Sequence, residues 1–171
     1  MHPRGFEVLA ERPDLDVRVE EKATAEVFAA AVADADAVLL RLTPLTGDLI
    51  AQAPNLKIVS RMGVGYDHID VAALTQRGIP LALVGDALAA SVAEHSVMLM
   101  LGVSRMVALM DRYTRTERYG ERFKLLGQEV LDKTVLIVGL GGIGGETARR
   151  CAAFGMHIIA AGRESTKREA A

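Results

Sequence analysis

The sequence predicts an α/β fold in which short strands alternate with helices, so that a parallel sheet is covered on both faces. Three observations carry that prediction. Apolar runs of four to six residues recur between helical periods along residues 15–84. The β-rich run Thr134–Val138 leads directly into the glycine turn Gly139-Leu140-Gly141-Gly142-Ile143-Gly144. The composition, 50% hydrophobic and 25% charged over 171 residues, supplies ample material for a core and excludes intrinsic disorder.

Each element has a local reason. Gly5–Glu11 places Phe6, Leu9 and Ala10 at i, i+3 and i+4, a short helix face that Pro13 stops. Leu15, Val17 and Val19 alternate with Asp16, Arg18 and Glu20, the pattern of a half-buried strand. Thr24 can cap a helix over Ala25–Ala33, and Ala37–Leu40 reads as a short strand. A helical stretch Gly47–Ala53 ends before Pro54, and Leu56–Ser60 is the next strand. The turn Gly63-Val64-Gly65 follows, then a helix from Asp70 to Gln76 closed by Gly78, then a strand over Ile79–Val84. This first domain spans residues 1–86.

Residues 87–133 read as a helix and an arm between two domains. Ala89–Met110 is the longest helical signal, with Val92, Ser96, Leu99, Val103, Met106 and Met110 on one stripe. Val97, Met98, Met100 and Leu101 cover other faces, so burial on several sides is expected, in a core or between subunits. Its methionines read as packing. Asp111–Lys124 interleaves five basic residues with Tyr113, Tyr119 and Phe123, a pattern met in nucleic-acid binders. Asp111, Glu117 and Glu121 dilute that charge, so a solvated arm or a subunit contact is the preferred reading.

Several function classes are excluded at this level. A formal net charge of −2 argues against DNA or an anionic membrane recruited by bulk charge. A single cysteine, Cys151, rules out an internal disulfide framework and fits a reducing cytoplasm. Met1–Ala10 has no basic-then-apolar leader, and the uncharged run Ser96–Ser104 is too short to cross about 30 Å of hydrocarbon. A cytoplasmic protein with neither membrane nor nucleic-acid partner is expected. No metal-binding cluster is expected either.

Residues 134–171 carry the strongest chemical signal, the G-x-G-x-x-G spacing between a strand and a helix. Gly139 permits the tight turn, Gly141 lets a pyrophosphate approach the backbone, and Gly144 lets the helix pack close to the strand. With Gly142 and Ile143, these residues place the positive end of a helix at the phosphates. The helix has Ala148, Cys151, Ala152 and Gly155 on its inner side, and His157–Ala161 forms a second strand. Dinucleotide binding is therefore preferred over a purely structural turn. An NAD site normally places Asp or Glu about 20 residues after the first glycine, where this chain has Gly162 followed by Arg163. Arg163 can pair with a 2′-phosphate, and Ser165 and Lys167 can add donors, so NADP(H) is preferred with NAD(H) as the alternative. A polar segment at a chain end is the other reading of these residues.

The motifs together resemble the D-isomer-specific 2-hydroxyacid dehydrogenases, the group that includes phosphoglycerate dehydrogenases and glyoxylate/hydroxypyruvate reductases. The matching segments are Ser60–Asp70 (Ser-Arg-Met-Gly-Val-Gly-Tyr-Asp-His-Ile-Asp), Ser91-Val92-Ala93-Glu94-His95, Asp132-Lys133-Thr134 and the Gly139–Gly144 turn, in family order over nearly the whole chain. The resemblance implies a flavodoxin-like substrate domain followed by an incomplete Rossmann cofactor domain. It implies that Gly63, Val64 and Gly65 bind the substrate carboxylate through backbone N–H groups, an anion-binding concavity of a known kind. A small 2-oxo or 2-hydroxy acid and a homodimer through the 89–110 helix follow from it as partners. His95 belongs to the interdomain segment in this family, so it reads as a core histidine rather than a base, and His68 as structural.

The departures are as informative. In the family, an Arg that binds the substrate, then a Glu and a His that moves the proton, follow the glycine motif, and these 171 residues contain no match to any of them. Two strands of a roughly six-stranded cofactor sheet are present, which would leave Val135–Val138 and Ile158–Ala161 open on one side unless covered. A family strand before the first helix is also unmatched. Val84-Gly85-Asp86-Ala87-Leu88 replaces the usual Thr-Pro-Gly-x-Asn, so Asp86 is expected to bring negative charge near an acidic substrate. The leading expectation is a truncated NAD(P)-dependent 2-hydroxyacid dehydrogenase with no catalytic residue in this chain and no turnover by itself. A non-catalytic dinucleotide-binding or dimerising module, or a non-functional fragment, is the alternative.

Overall fold

A computed structural model describes residues 3–20 and 24–162. It divides into two compact units, one comprising the residues up to Met62 with Tyr66–Ala82, the other Gly63–Gly65 with Leu83 onward.

The first unit contains α1 (Pro3–Ala10), α2 (Ala25–Ala33), β1 (Ala37–Leu40), α3 (Gly47–Ala51), β2 (Ile58–Arg61), α4 (Val71–Gln76) and β3 (Leu81–Leu83), whose last residue falls in the second unit. The sheet order is β1-β2-β3, with β1 and β2 parallel from Ala37 opposite Ile58 to Leu40 opposite Arg61. Three helices begin where a side-chain oxygen accepts an otherwise orphaned N–H: Thr24 from Val27 at 3.4 Å, Thr46 from Leu49 at 3.4 Å and Asp70 from Ala73 at 2.9 Å. The core is formed by Val32, Leu45, Ile50, Val59 and Leu74, all essentially inaccessible to solvent. Arg77 closes the far end of α3 by donating to the carbonyls of Ile50, Ala53 and Pro54.

The expected strand at residues 15–19 does not form. Leu15, Val17 and Val19 are exposed, and the segment pairs with none of the three strands of the sheet. Alternation shows which face of a strand could be buried; formation also needs a neighbouring edge to take its N–H and C=O groups. Without one, Arg18 reaches instead to Asp34 at 3.0 Å across solvent.

The second unit contains a 3₁₀ turn at Gly85–Leu88, α5 (Ala89–Ser104), α6 (Val107–Thr114), a 3₁₀ helix at Glu117–Lys124, β4 (Thr134–Val138), α7 (Gly142–Ala153) and β5 (His157–Ala161). Strands β4 and β5 are parallel, from Thr134 opposite His157 to Val138 opposite Ala161. Helices α5 and α7 pack on each other, and Ala89, Ala93 and Val97 are the buried face of α5. Arg150 of α7 donates to Glu94 of α5 at 3.3 Å across the same seam.

The expectation of one continuous helix over residues 89–110 is corrected. The run is two helices, broken at Met106, which sits in the left-handed region at φ 55°. The cause is tertiary: Gln128 N–H donates to the Ser104 carbonyl at 2.7 Å, and Gly127 lies so close that a Cβ would be 3.2 Å from the Arg105 Cα. Within the chain only one face of α5 is buried: Met98, Leu99 and Val103 are exposed, Val103 to 80%, so of the two expected settings the intrachain core does not cover them. The uncharged run alone also understates its reach. Gly85–Ser104 is, by length and composition only, long and apolar enough to cross a bilayer, although it carries Asp86 and the ion-paired Glu94.

In the arm, two of the four arginines stack on rings of their own segment. Arg118 lies 4.2 Å from the Tyr113 ring centroid, and Arg122 lies 3.9 Å and 4.1 Å from those of Tyr119 and Phe123.

Candidate functional site

The glycine turn between β4 and α7 is built by three separate constraints. Gly139 adopts φ +95°, a conformation that costs glycine little, and its N–H donates to the Ala161 carbonyl at 2.7 Å, which ties the turn to the end of β5. A Cβ at Gly144 would overlap the Gly139 carbonyl oxygen and lie 3.2 Å from Ile137 Cγ2, so α7 can approach β4 only with glycine there. Gly141 has extended backbone, caps α7 without any side-chain hydrogen bond, and has open space within 4 Å of where a Cβ would stand. The N–H groups of the first turn of α7 are thus not taken by a capping side chain, and the backbone at Gly141 can be approached closely. Ile143 is exposed beside it.

Gly142 is different. Its φ is not positive and the motif leaves its position free, yet a Cβ there would overlap the Asp86 carboxylate, with Asp86 Cγ at 2.9 Å. Asp86, expected to bring negative charge near an acidic substrate, has its carboxylate against the first residue of α7. The contact joins residues 56 positions apart, and no local pattern announces it.

Behind the turn, a groove of about 440 Å³ runs along β4, flanked by Ser96, Val97 and Met100 of α5 and by Ile143, Thr147 and Cys151 of α7. Burial pushes the Cys151 thiol above its ordinary range, so it remains a protonated, apolar wall. Arg149 and Arg150 hold the Glu146 carboxyl below its ordinary range, and Glu146 in turn raises the Arg150 guanidinium. The Glu94–Arg150–Glu146 chain fixes α7 against α5, a role for Glu94 that its place in the Ser91–His95 segment did not disclose.

The turn Gly63-Val64-Gly65 follows β2. Gly63 is buried and its carbonyl accepts from Val84 N–H at 3.4 Å, while Val64 and Gly65 are exposed. The buried Arg61 donates to the Met62 carbonyl at the base of this turn. His68 is half-buried, its carbonyl accepts from Leu45 N–H at 2.9 Å, and its Nε2 is enclosed without a hydrogen-bond partner. His95 is exposed on α5, contrary to the expectation of a core histidine. Among the described residues no group of three or more His, Cys, Asp or Glu side chains could hold a metal ion. Gly162 follows β5 directly, whereas Arg163, Ser165 and Lys167 lie outside the described residues.

The sequence and the fold both match known proteins. Residues 1–170 match the family described as D-isomer specific 2-hydroxyacid dehydrogenase, catalytic domain. A D-3-phosphoglycerate dehydrogenase of Mycobacterium leprae is 45% identical over 132 residues, which is 77% of this chain and 25% of that protein. A glyoxylate reductase of Korarchaeum cryptofilum is 35% identical over 161 residues, 91% of this chain and 48% of that protein. The solved structure of an NAD-dependent formate dehydrogenase from Staphylococcus aureus in complex with NAD superposes with a TM-score of 0.81 at 26% identity, over 97% of this chain and 51% of that one. The chain therefore spans between a quarter and about half of the length of these relatives.

Proposed function

The chain belongs to the D-isomer-specific 2-hydroxyacid dehydrogenase family, and we propose that it supplies the substrate-carboxylate turn and the dinucleotide turn of an oxidoreductase interconverting a 2-hydroxy acid and a 2-oxo acid. The observation that carries this is the geometry at β4 and α7: a left-handed Gly139, an unobstructed Gly141 and a Gly144 that must lack a side chain. That set fits a pyrophosphate held on backbone amides at a helix N-terminus.

When bound, a nicotinamide dinucleotide supplies the hydride for a 2-oxo acid or receives it from a 2-hydroxy acid. The part of this chain is binding and orientation. Gly139, Gly141, Gly142, Ile143 and Gly144 hold the pyrophosphate. The turn Gly63–Gly65, exposed at Val64 and Gly65, takes the carboxylate of a small acid, the substrate class named for the phosphoglycerate and glyoxylate relatives. Gly162 at the end of β5 offers no carboxylate to a ribose 2′-hydroxyl, which supports NADP(H), with Arg163 and Ser165 as its expected partners. The exposed Leu99 and Val103 of α5, with Val107 of α6, support a homodimer through this stretch. The single cysteine supports a cytoplasmic setting.

No residue of the 171 is assigned the proton transfer, so this chain alone is expected to show no NADPH oxidation with glyoxylate or hydroxypyruvate; measurable turnover would overturn that assignment. The binding reading is tested by titrating the chain with NADPH and NADH and following cofactor fluorescence, since the protein has no tryptophan. Saturable binding, tighter for NADPH, is expected. Absence of saturation with either cofactor would sink the dinucleotide reading, and tighter NADH binding would sink the NADP preference.

A further inference from the structure

We propose that Asp86 sets the affinity of the dinucleotide turn, acting as a built-in carboxylate that opposes the pyrophosphate at the N-terminus of α7. The inference rests on the dinucleotide reading above and adds a residue outside the glycine motif. One spatial observation and the ordinary backbone of Gly142 carry it. The carboxylate of Asp86 occupies the space that a Cβ at Gly142 would fill, with Cγ at 2.9 Å from that point. Glycine at 142 has no backbone justification, because its φ is not positive and the motif leaves that position free. The absent side chain at 142 is explained by the side chain present at 86.

The consequence is electrostatic. The first turn of α7 offers partial positive charge and free N–H groups, and a carboxylate already beside it spends part of that field before a diphosphate arrives. Two like charges near a surface repel more strongly than in bulk water, and salt screens the effect because Asp86 is exposed. Asp86 thus makes this turn a weaker anion site than its glycines alone would build, and it biases the site against dinucleotides bound through the pyrophosphate alone.

The experiment is a titration of the full chain and its Asp86→Asn and Asp86→Glu variants with NADH, at low and high salt, with neutral adenosine as the control ligand. Asp86→Asn keeps the shape and removes the charge, and is expected to bind NADH about three- to tenfold tighter at low salt. The difference should shrink at high salt, adenosine binding should not change, and Asp86→Glu should remain as weak as the parent. Equal NADH affinity for parent and Asp86→Asn overturns this inference while leaving the dinucleotide reading intact. A parallel gain for adenosine also overturns it, by making the effect one of shape. Failure of all three proteins to bind NADH overturns the dinucleotide reading and this inference with it.

Discussion

The two units of this chain bury their apolar residues in different ways. The first seals Val32, Leu45, Ile50, Val59 and Leu74 between a three-stranded sheet and its helices. The second, though larger, has a two-stranded sheet whose Leu136, Val138 and Ile159 are exposed, Val138 to 80%. Its buried residues are mostly small or lie on the α5–α7 seam: Ala89, Ala93, Val97 and Cys151. Stability therefore comes from a closed core in one unit and from helix–helix contact around a glycine turn in the other. The open strand surface of the second unit is what a further layer would cover, and bare it favours association.

If that contrast is right, the largest single-residue effect lies in the first unit. Ile50→Ala removes a fully buried side chain and should cost about 3 kcal/mol, seen as an earlier transition in urea for that unit only. The transition of the second unit should not move. Equal shifts in both would mean that the units unfold as one body, and the contrast would fail.

The second unit is most sensitive at its turn. Gly144→Ala places a methyl onto the Gly139 carbonyl oxygen, backbone that cannot step aside, and should destabilise the unit by about 2 kcal/mol. Gly145→Ala, one residue on, meets nothing within 4 Å and lies inside α7, so it should stabilise by about 0.5–1 kcal/mol. Thermal unfolding of the pair gives opposite signs if close approach decides, and the same sign if helix propensity does.

What could be seen in the sequence follows the same division between local and distant causes. Helix α2, strands β1, β4 and β5 and the Asp70 start of α4 have the bounds expected, because a capping side chain or a glycine within a few residues decides them. The roles of Gly139 and Gly144 in the turn were likewise readable from spacing. Residues 15–19 failed because a strand is a property of two edges and only one was in view. The break at Met106 was hidden because Gln128 causes it, over twenty positions later. The closeness of Asp86 to Gly142 and the pairing of Glu94 with Arg150 are distant in the same sense, and the second fixes α7 against α5.

The smallest effect expected is a matter of pH. Arg149 and then Arg150 hold the Glu146 carboxyl below its ordinary range, so the folded state keeps it ionised at a pH where the unfolded chain has begun to take up the proton. The pairing therefore contributes stability above the unfolded-state value and loses it as pH falls through the folded one. Both partners lie near the surface, so the contribution is modest and salt-sensitive. Glu146→Gln should lower the unfolding midpoint of the second unit at neutral pH and leave it nearly unchanged at the acid end, so that parent and variant converge on acidification. The first unit should be indifferent to the substitution throughout. A constant gap at every pH would mean that Glu146 acts by packing on α7 rather than by charge, leaving Arg150–Glu94 as the charge pair of the α5–α7 seam beside the packing of Ala93, Val97 and Cys151.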